Sequence, residues 1–193
     1  MILSDGTIRE YLANGTIQMV PLEDNQIQPA SIDFRLSNRL LVFESHRVGA
    51  VDPYNIPDDL HREVIIEPDR PFILHPGMFV LGSSLEAIGL GNNVVARCEG
   101  KSSLGRLGIL VTATAGFVDA GWNLGQITLE LSNVSPFPVM LHAGMKIGQF
   151  CFEMLDKPAL RPYGHPELNS KYVGQSGPVG SRYTGNRPTP ITS

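Results

Sequence analysis

The residues best suited to bind or react with a ligand lie in one segment, 99–106, which contains two cationic side chains, two hydroxyls and two glycines. Such a segment can form a turn whose backbone N–H groups and cationic side chains bind phosphate. Two carboxylates follow in the chain, Asp119 at the end of segment 114–119 and Glu130 in the alternating segment 126–132. A positioned carboxylate can activate water as a general base. This combination suggests a hydrolase that acts on nucleotides.

Each of these residues also has an ordinary structural interpretation. The run Gly100-Lys101-Ser102-Ser103 resembles the end of a Walker A loop, but Val95 stands where that loop needs its first glycine, which excludes a P-loop. A strand that ends in a tight turn with solvated cations explains the run as well as an anion site does. Glu130 alone is a typical solvent-facing strand residue, and Asp119 alone fits a turn. The residues by themselves leave these alternatives open.

Metal-ligating residues show no spacing that is typical of a metal site. The sequence contains no HxH, no histidine pair four residues apart, and no HxE with PCxxC pattern of the zinc deaminases. Cys98 and Cys151 form no CxxC motif, so we interpret them as reduced thiols of a cytoplasmic protein. We therefore expect no protein-bound metal and no zinc. The histidines are scattered over the chain, at His46, His61, His75, His142 and His165.

Length and composition predict one globular domain that is rich in turns and strands. The chain has 193 residues, of which 42% are hydrophobic and 18% charged, with 20 glycines, 15 prolines and a net charge of −4. A net negative charge argues against a protein that binds nucleic acids in general. We expect no membrane span, because no apolar run approaches the roughly 20 residues required. Residues 1–5 also lack the features of a signal peptide.

The hydrophobic period predicts one short helix followed by strands. Ser4 or Asp5 can cap the helix, and Asn14-Gly15 ends it. After this helix, apolar residues recur at every second position, and helices do not alternate with strands. We therefore predict an all-β fold, a barrel or jelly-roll-like sandwich, over residues 1–155. The predicted strands are 31–36, 39–44, 63–67, 71–75, 78–85, 93–99, 126–132, 138–141 and 146–154.

The C-terminal part of the chain differs in composition from the rest. It is rich in Pro, Gly, Ser and Asn, and it has too few apolar side chains to form a core of its own. Its cations and aromatic side chains are of the kind that contact phosphates and bases. We therefore expect residues 156–186 to be a lid segment that closes on a nucleotide, and residues 187–193 to be a disordered tail.

Several segments, taken in order, are far more specific than any one of them. They read GKSSLGR at 100–106, TAGFVD at 114–119, TLE at 128–130, GMKIGQ at 144–149, RPY at 161–163 and KYVGQ at 171–175. With residues 2–5 and 28–36, this order resembles the dCTP deaminase family of the trimeric dUTPase-like superfamily, as far as residue 182. The resemblance implies a dUTPase-like distorted jelly-roll or β-barrel.

The resemblance implies a zinc-independent deaminase. Glu130 would be the general base that activates water for attack on C4 of cytosine and then passes a proton toward the departing ammonia. Ser102 and the backbone around Ala115 would hold that water, while Arg106 would fix Glu130. Lys101, Ser103 and Gln149 would bind phosphates, with Tyr163, Lys171 and Gln175 from the lid. The full implied substrate-binding set is Lys101, Ser102, Ser103, Leu104, Gly105, Arg106, Ala115, Asp119, Thr128, Leu129, Glu130, Gln149, Tyr163, Lys171 and Gln175.

The same resemblance implies the partners of the protein. Mg²⁺ would be carried by the triphosphate, without direct protein ligands. The sites would lie between the subunits of a homotrimer, and dTTP would be a feedback inhibitor.

Family members either release dUTP or also cleave it to dUMP and pyrophosphate. Single-activity enterobacterial members carry a run like Ala-His-Arg-Ile-Asp where this chain has residues 115–119. Members with both activities favour glycine after the alanine, and Gly116 is similar to theirs. Gly116 would leave room beside the α-phosphate, where Asp119 would activate a second water. Lys101 and Gly105 also resemble the two-activity type. The resemblance therefore implies a bifunctional enzyme that makes dUMP for thymidylate synthesis.

Three other functions remain as alternatives: a deaminase that releases dUTP, a dUTPase-like diphosphatase, and a silent nucleotide-binding module. Glu130 argues against the last two, because neither needs a base at C4. The chain departs from the family pattern at two places. Thr112 stands where many members carry histidine, and Asn123-Leu124 makes the loop after Trp122 one residue longer.

Overall fold

The computed structural model describes residues 1–186, so the predicted tail at 187–193 lies outside the described residues. The helices are α1 (Asp5–Ala13) and α2 (Ser102–Gly105), with short 3-10 turns at Asp24–Gln26, Ser45–Arg47, Pro166–Leu168 and Tyr183–Asn186. The strands are β1 (Ile17–Val20), β2 (Ile27–Gln28), β3 (Ser31–Arg35), β4 (Arg39–Phe43), β5 (His61–Ile65), β6 (Phe72–Leu74), β7 (Phe79–Leu90), β8 (Val94–Gly100), β9 (Ile109–Leu110), β10 (Phe117–Val118), β11 (Gly125–Asn133), β12 (Val139–Leu141) and β13 (Lys146–Met154).

Two antiparallel sheets form the body of the fold. The first has the strand order β5-β4-β7-β11-β9, with β1 also paired to β7. The second has the order β10-β8-β13-β3-β2, and β6 pairs with β12 outside both sheets. The predicted mostly-β fold is therefore confirmed. None of the helices in the described part of the chain has the length and apolar character needed to cross a membrane.

The core takes its side chains from both sheets. The rings of Phe34 in β3 and Phe150 in β13 stack at 4.5 Å, and both side chains are fully buried. Leu129 and Leu131 in β11 are also fully buried, and burial of each leucine side chain contributes about 2 kcal/mol. The regular alternation of buried and half-buried residues along β11 follows from its one-sided contact with this core.

A buried ion pair joins the two sheets. Glu86 in β7 is fully buried, and it accepts hydrogen bonds from the Nε of Arg35 at 2.6 Å and from the backbone N–H of Arg35 at 2.8 Å. Gln26 donates a third bond to Glu86 at 3.0 Å. A buried carboxylate needs several such donors because its desolvation is costly. This contact fixes β7 against β3, and β7 in turn holds β11 by their antiparallel pairing.

Candidate active site

A cavity of about 690 Å³ opens beside β11. Its polar lining includes Asp119, Thr128 and Glu130, and much of the remaining wall is apolar, with Phe43 and Phe79 among the lining residues. This volume lies within the range of about 300–1,000 Å³ that is usual for pockets that bind small molecules. The two carboxylates that the sequence singled out therefore face one cavity.

Strand β11 positions Glu130. Because side chains alternate along a strand, Thr128 and Glu130 line the cavity while Leu129 points into the core. The Oε2 atom of Glu130 accepts hydrogen bonds from the backbone N–H groups of Ala113 at 2.8 Å and Thr114 at 3.0 Å. Within residues 1–186, no hydrogen bond occupies the second carboxylate oxygen, Oε1. Glu130 is thus held by one oxygen and can accept a proton at the other.

Asp119 reaches the cavity from the end of β10. This short strand pairs with β8 through Phe117 opposite Arg97 and Val118 opposite Ala96. The backbone carbonyl of Asp119 accepts a hydrogen bond from the N–H of Trp122 at 3.2 Å, which closes the turn after the strand. The side chain of Asp119 is exposed and lines the cavity. It can therefore reach both solvent and a ligand.

Gly116 makes a close contact with β8. A Cβ atom at this position would lie 2.9 Å from the carbonyl oxygen of Cys98 in β8. The N–H of Cys98 also donates to the carbonyl of Gly116 at 2.6 Å. A side chain here would force β8 and the loop before β10 apart, whether or not a phosphate lies nearby. Burial raises the pKa of the Cys98 thiol to about 12, so this thiol is inert at neutral pH.

Thr112, the first departure from the family pattern, lines a smaller cavity of about 280 Å³. Arg97, Glu99, Thr114 and Gly116 share its wall. Thr112 and Thr114 flank Ala113, so they lie in the same loop whose N–H groups hold Glu130. The residue at position 112 is therefore placed to influence the loop rather than the large cavity, whose lining does not include it.

Segment 99–106 includes helix α2 and contains Lys101, Ser102, Ser103 and Arg106. Helix α2 carries Ser102, and the guanidinium of Arg106 donates a hydrogen bond to the hydroxyl of Ser102. Leu104 is half-buried against the core, whereas Gly105 is exposed. Within the described part of the chain, none of the residues 101–106 lines the large cavity.

Lys101 and Gln149 belong to a polar cluster on the second sheet. The Nζ of Lys101 donates to Oδ1 of the nearly buried Asp33 at 2.6 Å, and the Nζ of Lys146 lies 3.2 Å from Oδ2. The amide oxygen of Gln149 accepts a bond from the hydroxyl of Ser31 at 3.1 Å. Two lysines against one carboxylate leave a net positive charge, which suits an anion.

The C-terminal segment contributes part of the cavity wall, through Tyr163, Tyr172, Gln175, Val179 and Ser181. The N–H of Tyr163 donates to the carbonyl of Ala120 at 2.8 Å, and its ring lies 4.8 Å from that of Trp122. The N–H of Tyr172 donates to the hydroxyl oxygen of Tyr163 at 3.0 Å. Burial raises the pKa of Tyr163, so its hydroxyl stays protonated at neutral pH. Lys171 lies over the ring of Tyr183, with its Nζ 5.4 Å from the centroid.

The predicted site residues thus fall into two groups. Those that line the large cavity are Ala115, Asp119, Thr128, Glu130, Tyr163 and Gln175. Those outside it are Lys101, Ser102, Ser103, Leu104, Gly105, Arg106, Gln149 and Lys171, with Leu129 buried behind it in the core. Because the side chain of Leu129 has no exposed surface, only its backbone can contact a nucleotide.

Sequence reasoning did not select several residues that form the cavity. His61 lines it, packs 4.5 Å from the ring of Phe43, and has a pKa lowered by burial. Trp122 lines it beneath Tyr163. No local pattern marks these residues, because their neighbours Gly180 and Tyr163 come from the C-terminal segment and meet them only in the folded chain. Among residues 1–186, no three His, Cys, Asp or Glu side chains are grouped so that they could share a metal ion.

Comparisons with known proteins identify relatives in sequence and in fold. Residues 2–155 match the sequence model of a family described as dCTP deaminase-like. A Beutenbergia cavernae protein named dCTP deaminase, dUMP-forming, is 50% identical over 182 residues, which cover 94% of each chain. A Nocardioides protein of the same name is 50% identical over 192 residues and covers 99% of this chain and 100% of its own.

A solved structure has a fold similar to that of this chain. It is the 2′-deoxycytidine 5′-triphosphate deaminase from Agrobacterium tumefaciens, with a TM-score of 0.62 and 27% sequence identity. The match covers 80% of this chain and 48% of that protein, so this chain spans about half the length of that relative.

Proposed function

The chain belongs to the dCTP deaminase-like family, and from that premise we propose that it converts dCTP and two waters into dUMP, ammonia and pyrophosphate. The product would supply thymidylate synthesis. The observation that carries this proposal is the presence of two separately held carboxylates, Glu130 and Asp119, in the wall of one cavity. Relatives that match nearly the whole chain at 50% identity are named for the dUMP-forming reaction.

Glu130 performs the deamination in this proposal. Its free Oε1 takes a proton from water, and the hydroxide adds to C4 of cytosine. Glu130 then delivers the proton to the amino group, the C4–N bond breaks and ammonia leaves. The proton of the hydroxyl on C4 moves to N3, so that C4 becomes the carbonyl of uracil. The two N–H groups that hold Oε2 fix the orientation of the carboxylate, as a general base requires.

Asp119 performs the second hydrolysis. It takes a proton from another water, which attacks the α-phosphorus. The bond from that phosphorus to the bridging oxygen breaks, pyrophosphate leaves, and dUMP remains. Because Asp119 lies on a different element from Glu130, each base can serve one end of the same nucleotide.

A second copy of the chain completes the site. What supports this is the division of the candidate residues, since 101–106 and Gln149 lie outside the cavity that holds Glu130. In a homotrimer, Ser102 and Arg106 of one subunit would meet Glu130 of the next. The net positive cluster of Lys101 and Lys146 on Asp33 would then face the phosphates, with Ser103 and Gln149 beside it.

Mg²⁺ enters this scheme with the substrate. The donor set of residues 1–186 offers no cluster for a protein-bound ion, whereas a triphosphate chelates Mg²⁺ through its own oxygens. Zinc has no role in the scheme. The proposal also includes feedback inhibition by dTTP, which shares the triphosphate and the deoxyribose, and a cytoplasmic location, which suits the two free cysteines.

Product analysis tests the proposed function. Incubation of the protein with dCTP and Mg²⁺ should give ammonia, dUMP and pyrophosphate in equal amounts, with little dUTP, as measured by ion-exchange chromatography and an ammonia assay. Accumulation of dUTP as the main product would show a deaminase without the second activity. Release of pyrophosphate from dUTP without any ammonia from dCTP would leave a diphosphatase.

A further inference from the structure

Strand β7 contains a bulge opposite the start of β11. Gln126 pairs with Ala87 and Thr128 pairs with Ser83, so residues 84–86 of β7 all lie opposite Ile127. A bulge of this kind removes backbone groups from the regular ladder, and those groups need other partners. The N–H of Ile127 finds one in the hydroxyl of Ser84, at 2.9 Å.

The side chain of Gln126 provides the other partners. Its Nε2 donates to the carbonyl of Ser84 at 2.9 Å and to that of Leu85 at 3.0 Å. Both carbonyls belong to the bulge. The amide thus uses its two N–H groups to satisfy the carbonyls that the bulge releases.

The remaining groups of Gln126 hold the C-terminal segment. Its Oε1 accepts a bond from the N–H of Gly177 at 2.6 Å. Its backbone N–H donates to the carbonyl of Gln175 at 3.0 Å, and its carbonyl accepts from Nε2 of Gln175 at 2.6 Å. All hydrogen-bonding groups of Gln126 are therefore in use. A carboxamide suits this position because it donates two bonds at one end and accepts at the other.

The next polar residue of β11 continues the contact. The hydroxyl oxygen of Thr128 accepts bonds from Nε2 of Gln175 and from the N–H of Val179, both at 3.2 Å. Gln126, Thr128 and Glu130 lie on the same face of β11, so two residues that hold the C-terminal segment precede the candidate base. Gln175 and Val179 in turn line the cavity.

We propose that Gln126 is a positioning residue, which fixes residues 175–179 against β11 and so forms one wall of the nucleotide cavity. It does not contact the reacting atoms. It acts through the C-terminal segment, whose position decides whether the wall is closed around the nucleotide. The kinetic part of this inference rests on the proposed function, whereas the docking of residues 175–179 on Gln126 does not.

Two substitutions test the inference. Gln126→Glu keeps the size of the side chain but places an oxygen against the carbonyls of Ser84 and Leu85, and Gln126→Ala removes the contact. Trypsin provides the structural measurement, because Lys171 and Arg182 lie in the segment and neither precedes proline. We expect cleavage at these two sites to become about tenfold faster, in line with the loss of buried hydrogen bonds.

Kinetics provide the second measurement. The KM for dCTP should rise about tenfold, while kcat should change less than about threefold, because binding interactions are lost and the base is untouched. Gln18→Ala, an exposed glutamine on β1 at the other edge of β7, is the matched control and should leave both measurements unchanged.

Other results overturn the inference. An unchanged rate of trypsin cleavage in a folded Gln126 variant does so. Faster cleavage with an unchanged KM for dCTP, or with a fall in kcat and no rise in KM, also does so. If the Gln126 variants fail to fold, Gln175→Ala leaves the bulge contacts intact and must accelerate cleavage; no acceleration overturns the inference. A wild-type protein that does not turn over dCTP refutes the proposed function instead, and the cleavage measurement still tests the docking.

Discussion

Glu130→Gln is expected to reduce ammonia release from dCTP by about 10²–10⁴-fold, the usual contribution of a general base. The glutamine oxygen can still accept from the N–H groups of Ala113 and Thr114, so the loop should keep its position. The amide NH₂ would then occupy the place of Oε1 and could not take a proton from water. Steady-state ammonia assays give the rate, and calorimetric titration with dCTP should show that binding persists.

Glu10→Gln is the matched control for this substitution. Glu10 is an exposed carboxylate on α1, and it does not line the cavity. The control should deaminate at the wild-type rate. Deamination by Glu130→Gln within about threefold of wild type would contradict the assignment of the base, because a general base contributes far more than that.

Asp119→Asn is expected to separate the two reactions. Ammonia release should stay within about threefold of wild type, because Glu130 and the contacts of its loop are unchanged. Formation of dUMP should fall by about 10²–10⁴-fold with the loss of the second base. The variant should therefore release dUTP, which chromatography of the nucleotide products resolves from dUMP.

Asp69→Asn, at an exposed turn residue outside the cavity wall, controls for the loss of one surface charge and should still give dUMP. Two results would contradict the role of Asp119. Continued dUMP formation at the wild-type rate would show that another group activates the second water. An equal loss of both reactions would show that the residue supports the loop 113–119 instead of one chemical step.

The strand pattern of the fold could be predicted from local sequence because burial on one side imposes a period of two. The predicted strand 126–132 corresponds to β11, and its polar face carries Gln126, Thr128 and Glu130 as the alternation requires. The predicted strand 78–85 was too short, because β7 runs on through its bulge to Leu90. A bulge is set by contacts with the neighbouring strand, and the local sequence does not show it.

Long-range contacts limited the prediction of the site. The family resemblance implies that Lys101 binds phosphate, but local sequence does not indicate its ion pair with Asp33, which joins residues that are 68 positions apart. The C-terminal segment has too few apolar residues to form a core, yet it packs on the body through backbone hydrogen bonds to Ala120 and Gln126. Its composition predicts that it has no core of its own, but composition could not indicate which strand receives the segment.

The central claim is that one cavity removes both ammonia and pyrophosphate from the same nucleotide. Its most direct test is the turnover of radiolabelled dCTP in the presence of an excess of unlabelled dUTP, with the labelled products measured over time. If both bases act on the bound nucleotide, the label should pass from dCTP into dUMP without appearing in dUTP. The excess of unlabelled dUTP should not lower the fraction of the label that reaches dUMP. Label that accumulates in dUTP, with dUMP formed mainly from the unlabelled pool, would contradict the claim.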